Sequence, residues 1–126
     1  MAKILIVDDE EIVRDLLRTV LERDGHTIAE AHDGLEALEA LEAEAHDLVL
    51  VDLIMPKKNG LDTVVELRAL RPETRFIVMT GALPTLLESN KNMDEMLGAG
   101  VVKLTKPMKP GDLLRAVREA LGTAVS

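Results

Sequence analysis

Short runs in which every residue is apolar alternate along this chain with longer stretches whose apolar residues recur every three or four positions. The continuous runs are Ile4-Leu5-Ile6-Val7, Leu48-Val49-Leu50-Val51 and Phe76-Ile77-Val78-Met79. A run without a polar face has no side to offer water, so each predicts a strand of a parallel sheet covered on both faces. Strands are therefore expected over 3–7, 48–51 and 75–79, with another over 101–104 and a weaker, edge-type strand from His26 to Ala31. Between them, Val13, Leu16, Leu17, Val20 and Leu21 keep the spacing of one helix face. Asp9, Glu10 and Glu11 lie at the start of that helix, where its dipole favours negative charge, and Asp24-Gly25 ends it. Asp33-Gly34 opens a second helix with Leu35, Leu38 and Leu41 on one face. A third runs from about Leu61 to Leu70 and stops before Pro72, after the turn-rich loop Met55-Pro56-Lys57-Lys58-Asn59-Gly60. Pro110 suits a first helical position and begins a last helix with Leu113, Leu114, Val117 and Leu121 facing inward. From Gly81 to Gly98 the pattern is least regular, because Pro84 forbids an early helix and Asn90 interrupts the face of Leu86, Leu87, Met93, Met96 and Leu97. The alternation predicts (βα)5, an α/β parallel sheet with helices on both sides.

Composition narrows the functional classes. A chain of 126 residues is expected to be one domain, 1–126, large enough to bury a core without staples. There is no cysteine, which removes disulfides and thiolate chemistry and fits a cytoplasmic setting. The apolar run after Met-Ala-Lys is too short for a signal peptide or a membrane span. A net charge of −8 repels phosphate backbones, so direct nucleic-acid binding is not expected. Phe76 is the only aromatic residue, and the core must be aliphatic.

The chemistry sits where the strands end. Asp8 and Asp9 follow the first apolar run, Asp52 the third strand, Thr80 the fourth, and Lys106 comes shortly after Val101-Val102. In one parallel sheet these positions gather on the C-terminal edge, the edge at which open α/β sheets bind ligands. Carboxylate oxygens suit a hard divalent cation such as Mg2+, and a cation would relieve the repulsion among three acids. Each acid alone reads as a helix cap or a strand end. Together with a hydroxyl and an ammonium at matching ends they point to a metal and phosphoryl site. The three histidines, His26, His32 and His46, lack ligand spacing and read as surface or turn residues. Leu97-Gly98-Ala99-Gly100 precedes a strand and so is no dinucleotide loop.

From Lys3 to about Leu121 the chain resembles the receiver domain of two-component response regulators. The resemblance is carried by Ile4-Leu5-Ile6-Val7-Asp8-Asp9-Glu10, Asp33-Gly34, Leu50-Val51-Asp52-Leu53-Ile54-Met55-Pro56, Gly60, Thr80-Gly81, Gly98-Ala99-Gly100 and Lys106-Pro107. It implies a flavodoxin-like, doubly wound sheet of strand order 2-1-3-4-5. It implies that Asp52 is the phosphoacceptor and that Asp9, Asp52 and the backbone carbonyl of Ile54 ligate Mg2+, with Asp8 acting through water. Lys106 would pair with one phosphoryl oxygen and Thr80 with another. The partners it implies are a histidine kinase or histidine phosphotransfer protein and a downstream effector protein. The expected state is a cytoplasmic monomer or weak dimer with no membrane contact. The chain would be a phosphoacceptor in a phosphorelay with its own phosphotransfer and slow autodephosphorylation, not a turnover enzyme.

Three features depart from the family pattern. Lys103 stands where Tyr or Phe is usual, so a threonine–aromatic switch cannot operate. The interval from Thr80 to Lys106 is about four residues longer than is common, and Met108 replaces a frequent Phe. Ile54 and Ala82, two residues beyond Asp52 and Thr80, are apolar and cannot orient a hydrolytic water, which predicts a long-lived phosphorylated state. Ile54 also stands where a haloacid-dehalogenase-type phosphatase needs its second Asp. The alternatives are a phosphorylation-independent interaction module and a receiver excised from a longer regulator or hybrid kinase.

Overall fold

The computed structural model describes residues 2–53, 60–80, 101–106 and 108–122, with the side chains of residues 60–62 and 80 excepted. Its elements are β1 (Lys3–Val7), α1 (Glu11–Arg23), β2 (Thr27–Ala31), α2 (Gly34–Ala43), β3 (Leu48–Asp52), α3 (Gly60–Leu70), β4 (Arg75–Thr80), β5 (Val102–Thr105) and α4 (Pro110–Leu121). The strands form one sheet in the order β2-β1-β3-β4-β5, and every pairing is parallel. The anticipated architecture and strand order are those observed. The helix expected within 81–98 lies outside the described residues. None of the described helices is long and apolar enough to cross a membrane.

The continuous apolar runs divide by the two-residue period of a strand. Leu5, Val7, Val49, Val51, Phe76 and Val78 face one side, where they pack with Ala37 and Leu41 of α2 and Val64 and Leu67 of α3. Ile4, Ile6, Leu48, Leu50, Ile77 and Met79 face the other, against Leu17 and Leu21 of α1 and Leu113, Ala116, Val117 and Ala120 of α4. The strongly buried strands are β1, β3 and β4, while the edge strand β2 carries polar positions and β5 is only half-buried.

Helix faces differ in detail from the expectation. Leu35 and Leu16 are exposed, and Ala37 and Leu17 hold the inward positions. Alanines at 116 and 120 complete the buried face of α4, while Leu114 and Leu121 lie at its margin. A close helix–sheet approach is served as well by a methyl group as by a leucine, and counting only large residues missed that. The first helix stops as expected, with Gly25 at φ 91°, in the left-handed region glycine adopts freely. Asp33 caps α2 by accepting the Glu36 N–H at 2.8 Å.

The end of the sheet opposite the acids is tied by arginines. Arg71 Nε donates to the Leu41 carbonyl at the end of α2 (2.8 Å), and Arg75 Nη1 donates to the Ala120 carbonyl in the last turn of α4 (3.0 Å). These are carbonyls a helix terminus leaves without a partner. Thr74 Oγ1 donates to the His46 carbonyl at 3.0 Å, joining the turns that precede β3 and β4.

His26 and His46 lie in the turns before β2 and β3, as the turn reading expects, but their rings are largely buried instead of at the surface. His46 is 5% exposed, its Nδ1 lies 3.2 Å from the Glu44 carbonyl, and its Nε2 is buried without a partner. His26 Nδ1 accepts the Ala2 N–H at 3.0 Å. Burial pushes the His46 imidazolium below the usual histidine range, and the positive charges of Lys3 and Arg71 act in the same direction against the opposing Asp47. Folding thus favours the neutral ring. Stability should be full above the unfolded-state value of about 6.5 and decline as pH falls below it. Urea midpoints for the wild type and His46→Gln between pH 7.5 and 5 should converge at low pH, with the wild type showing the steeper loss. Parallel curves would contradict this.

Candidate functional site

Sheet register brings the acids to one level. Val7 pairs with Val51, so Asp8 and Asp52, each the next residue, emerge side by side at the C-terminal edge. Met79 pairs with Asp52 and Thr80 with Thr105, so Lys106 leaves the edge one step beyond Thr80. The Asp8 carboxylate is fully buried, and the Asp52 side chain is 6% exposed. Two buried carboxylates side by side repel, and a positive group must stand between them.

Lys106 is that group. Its Nζ donates to Asp8 Oδ2 at 2.7 Å and to Asp52 Oδ2 at 2.9 Å, linking residues 98 and 54 positions apart in the chain. Burial pushes the ammonium down, yet the hydrogen bonds and charges of Asp8 and Asp52 outweigh it and hold the group above the usual lysine range. Lys106 is therefore positively charged across the physiological range, and it keeps 18% of its side chain in contact with solvent.

Asp8 is pinned at every polar atom. Its N–H donates to the Ala31 carbonyl at 3.1 Å, which extends the β1–β2 ladder by one residue. Its Oδ1 accepts the Glu10 N–H at 2.9 Å, closing the turn into α1, whose N-cap residue Glu10 makes no side-chain cap of its own. Its carbonyl accepts from Arg14 Nη1 at 2.6 Å. Arg14 in turn donates through Nε to Glu30 Oε1 of β2 at 3.0 Å, and Arg18 Nη1 reaches Glu30 Oε2 at 2.6 Å. Burial pushes the Glu30 carboxyl up, but the two guanidiniums prevail and hold it below the usual carboxylate range.

Asp9 is exposed beside this pair, and the carboxylates of Asp8, Asp9 and Glu10 offer oxygens that all lie within 4.8 Å of one another. These donors fit a hard dication. Mg2+ takes few protein oxygens and keeps its waters, and one ammonium between two buried carboxylates leaves negative charge that Asp9 increases. Asp8, Asp9 and Glu10 are the side chains whose oxygens lie close enough together to hold such an ion.

Of the six anticipated site residues, the structure brings together Asp8, Asp52 and Lys106 and sets Asp9 at their rim. Thr80 ends β4 at the same edge, while its side chain and Ile54 lie outside the described residues, as does Pro107. Lys103 lies opposite Val78 on β5 and is half-buried. Arg14 and Glu30 went unnoticed in the sequence because each reads as one more charge on an exposed element. The spacing of Arg14 and Arg18, one helical turn apart over an acid at the β2 edge, was the available signal.

A family model for the response regulator receiver domain matches residues 4–118. The chain is 36% identical over 124 residues to the transcriptional regulatory protein CpxR of Escherichia coli, a match that covers 96% of this chain and 50% of that protein. It is 33% identical over 122 residues to the alkaline phosphatase synthesis transcriptional regulatory protein PhoP of Bacillus subtilis, covering 94% of this chain and 48% of the relative. The chain thus spans about half the length of these curated relatives. Among solved structures, the chemotaxis protein CheY4 of Vibrio cholerae has a TM-score of 0.84 at 28% identity, with 96% of this chain and 99% of that one covered. The CheY-like response regulator receiver domain protein of Methanospirillum hungatei has a TM-score of 0.85 at 30% identity, covering 98% and 96%.

The shared ammonium carries a stability prediction. Lys106→Met leaves two buried carboxylates facing each other and should lower the unfolding free energy in EDTA by ~2 kcal/mol, below the usual cost of breaking a buried pair because the site is partly wet. Asp52→Asn removes one of the repelling charges and should cost less. Urea denaturation checks both, and equal stability of Lys106→Met and wild type would contradict the coupling.

Proposed function

The chain belongs to the response regulator receiver domain family, and from that premise we propose that Asp52 accepts a phosphoryl group from a histidine kinase or histidine phosphotransfer protein. The observation that carries this reading is the Lys106 ammonium shared by Asp8 and Asp52 at the C-terminal edge of the sheet. A carboxylate oxygen of Asp52 attacks the phosphorus of a phosphohistidine. The P–N bond breaks, its electron pair returns to the imidazole nitrogen, and that nitrogen takes a proton from water. The product is an aspartyl phosphate. Bound Mg2+ would neutralise charge on the transferring oxygens, held by Asp9, Asp52 and the Ile54 carbonyl, with Asp8 acting through water. Lys106 exchanges its bond to Asp52 for one to a phosphoryl oxygen, and the Thr80 hydroxyl takes another.

The burial of Asp52 and the apolar Ile54 and Ala82 support slow hydrolysis, so the domain passes its signal on by protein–protein contact with an effector. It performs one self-catalysed transfer and no general phosphomonoester turnover. Its setting is the cytoplasm, as a monomer or weak dimer, and its acidic surface disfavours direct contact with nucleic acid. That the curated relatives are about twice as long favours the alternative of a receiver belonging to a longer regulator. Lys103, in place of the usual aromatic, favours a second reading as a phosphorylation-independent module.

Incubation with acetyl phosphate and Mg2+ separates the two. Wild type should gain the mass of one phosphoryl group as a base-labile adduct, and Asp52→Ala or omission of Mg2+ should abolish it. No adduct on the wild type would leave the interaction module as the better reading.

A further inference from the structure

We infer that Arg14 is a positioning residue, which with Glu30 sets the geometry of the acidic turn from which Asp8 and Asp9 bind the cation. The inference rests on the reading just given and names a second layer of that site.

Arg14 is the fourth residue of α1, and its side chain folds back over the preceding turn, as helical side chains do. Nη1 takes the Asp8 carbonyl at 2.6 Å while Nε holds Glu30 at 3.0 Å. Arg14 and Glu30 are 15% and 22% exposed, so the arrangement is largely shielded from solvent. The Asp8 carbonyl begins the peptide that carries Asp9, and the Glu10 N–H, bonded to Asp8 Oδ1, ends the next. Asp9 is thus strung between two fixed points, one of them held by Arg14. With the Asp8 carbonyl released, the Asp9 peptide can rotate and its carboxylate loses its direction. A guanidinium supplies two separate donors in one rigid plane, which a lysine ammonium on a flexible stem does not. Outer residues that orient a metal's ligands are commonly worth about tenfold or more in affinity.

Arg18 provides the internal control. It binds the other oxygen of Glu30 at 2.6 Å and is 43% exposed, with no bond to Asp8. A merely structural link between α1 and β2 is served by either arginine, whereas orientation of the acidic turn is served by Arg14 alone.

The chain has no Trp or Tyr to report binding by fluorescence. Mg2+ affinity is therefore measured by titration calorimetry on wild type, Arg14→Lys, Glu30→Gln and Arg18→Lys, far below each Tm. Arg14→Lys should weaken Mg2+ about tenfold. Glu30→Gln should weaken it less, and Arg18→Lys should leave it unchanged. Amide exchange of Glu10 in metal-free protein should accelerate in Arg14→Lys and not in Arg18→Lys. Wild-type Mg2+ affinity and Glu10 protection in Arg14→Lys, or equal losses in Arg14→Lys and Arg18→Lys, would overturn the inference while the receiver reading stood. A wild type that binds no Mg2+ would overturn both.

Discussion

Two buried carboxylates share one ammonium, and the site depends on that arrangement. Asp8 and Asp52 emerge side by side because Val7 and Val51 are paired in a parallel ladder, and no single-residue slip of register could preserve it without exchanging the two faces of the core. The charge cluster is costly to bury. It persists because Lys106 reaches both acids within 2.9 Å and because Asp8 is satisfied at each of its polar atoms. A sheet packed on both faces supplies the rigidity that keeps three such groups from relaxing apart. The same arrangement leaves negative charge in excess, which makes the edge receptive to a cation and, through the lysine, to the oxygens of a phosphoryl group.

The molecule divides its labour between the two ends of the sheet. At one end, arginines close helix termini: Arg71 on Leu41 and Arg75 on Ala120. The first ties the end of α3 to the end of α2, and the second ties α4 to β4. At the other end, strands stop in acids and a lysine, and Arg14 works on a turn instead of a terminus. Local propensity and the functional arrangement are in mild conflict there. Helix α1 begins with an N-cap glutamate that caps nothing, and the adjoining carboxylate of Asp8 takes over its N–H. Such departures from local optimum are expected where residues are kept for binding.

Much of this was legible in the amino-acid pattern. The strands were announced by runs without a polar face, and the site by acids at their ends, because in a parallel sheet position along the chain translates directly into position along an edge. The faces of the helices were less legible. Leu16 and Leu35 point to solvent and Ala37, Ala116 and Ala120 point inward, since a helix that lies close against a sheet selects by fit as well as by hydrophobicity. The burial of His46 was not legible, because it follows from how the turn between α2 and β3 packs, which no periodicity describes. Arg14 and Glu30 were silent for a related reason: an ion pair across sixteen residues is a fact of tertiary structure. Ile54 was named from the resemblance alone, whereas Thr80 was read from the end of its apolar run, and the structure places it at the end of β4 in register with Thr105.

A crystal structure of the protein grown with Mg2+ and beryllium fluoride tests the central claim most directly. One metal ion ligated by Asp9 and Asp52 is predicted, with the fluoride group on the Asp52 carboxylate and Lys106 Nζ turned from Asp52 to a fluorine. A metal ion bound elsewhere, or fluoride absent from Asp52 with Lys106 still bridging the two buried acids, would contradict it.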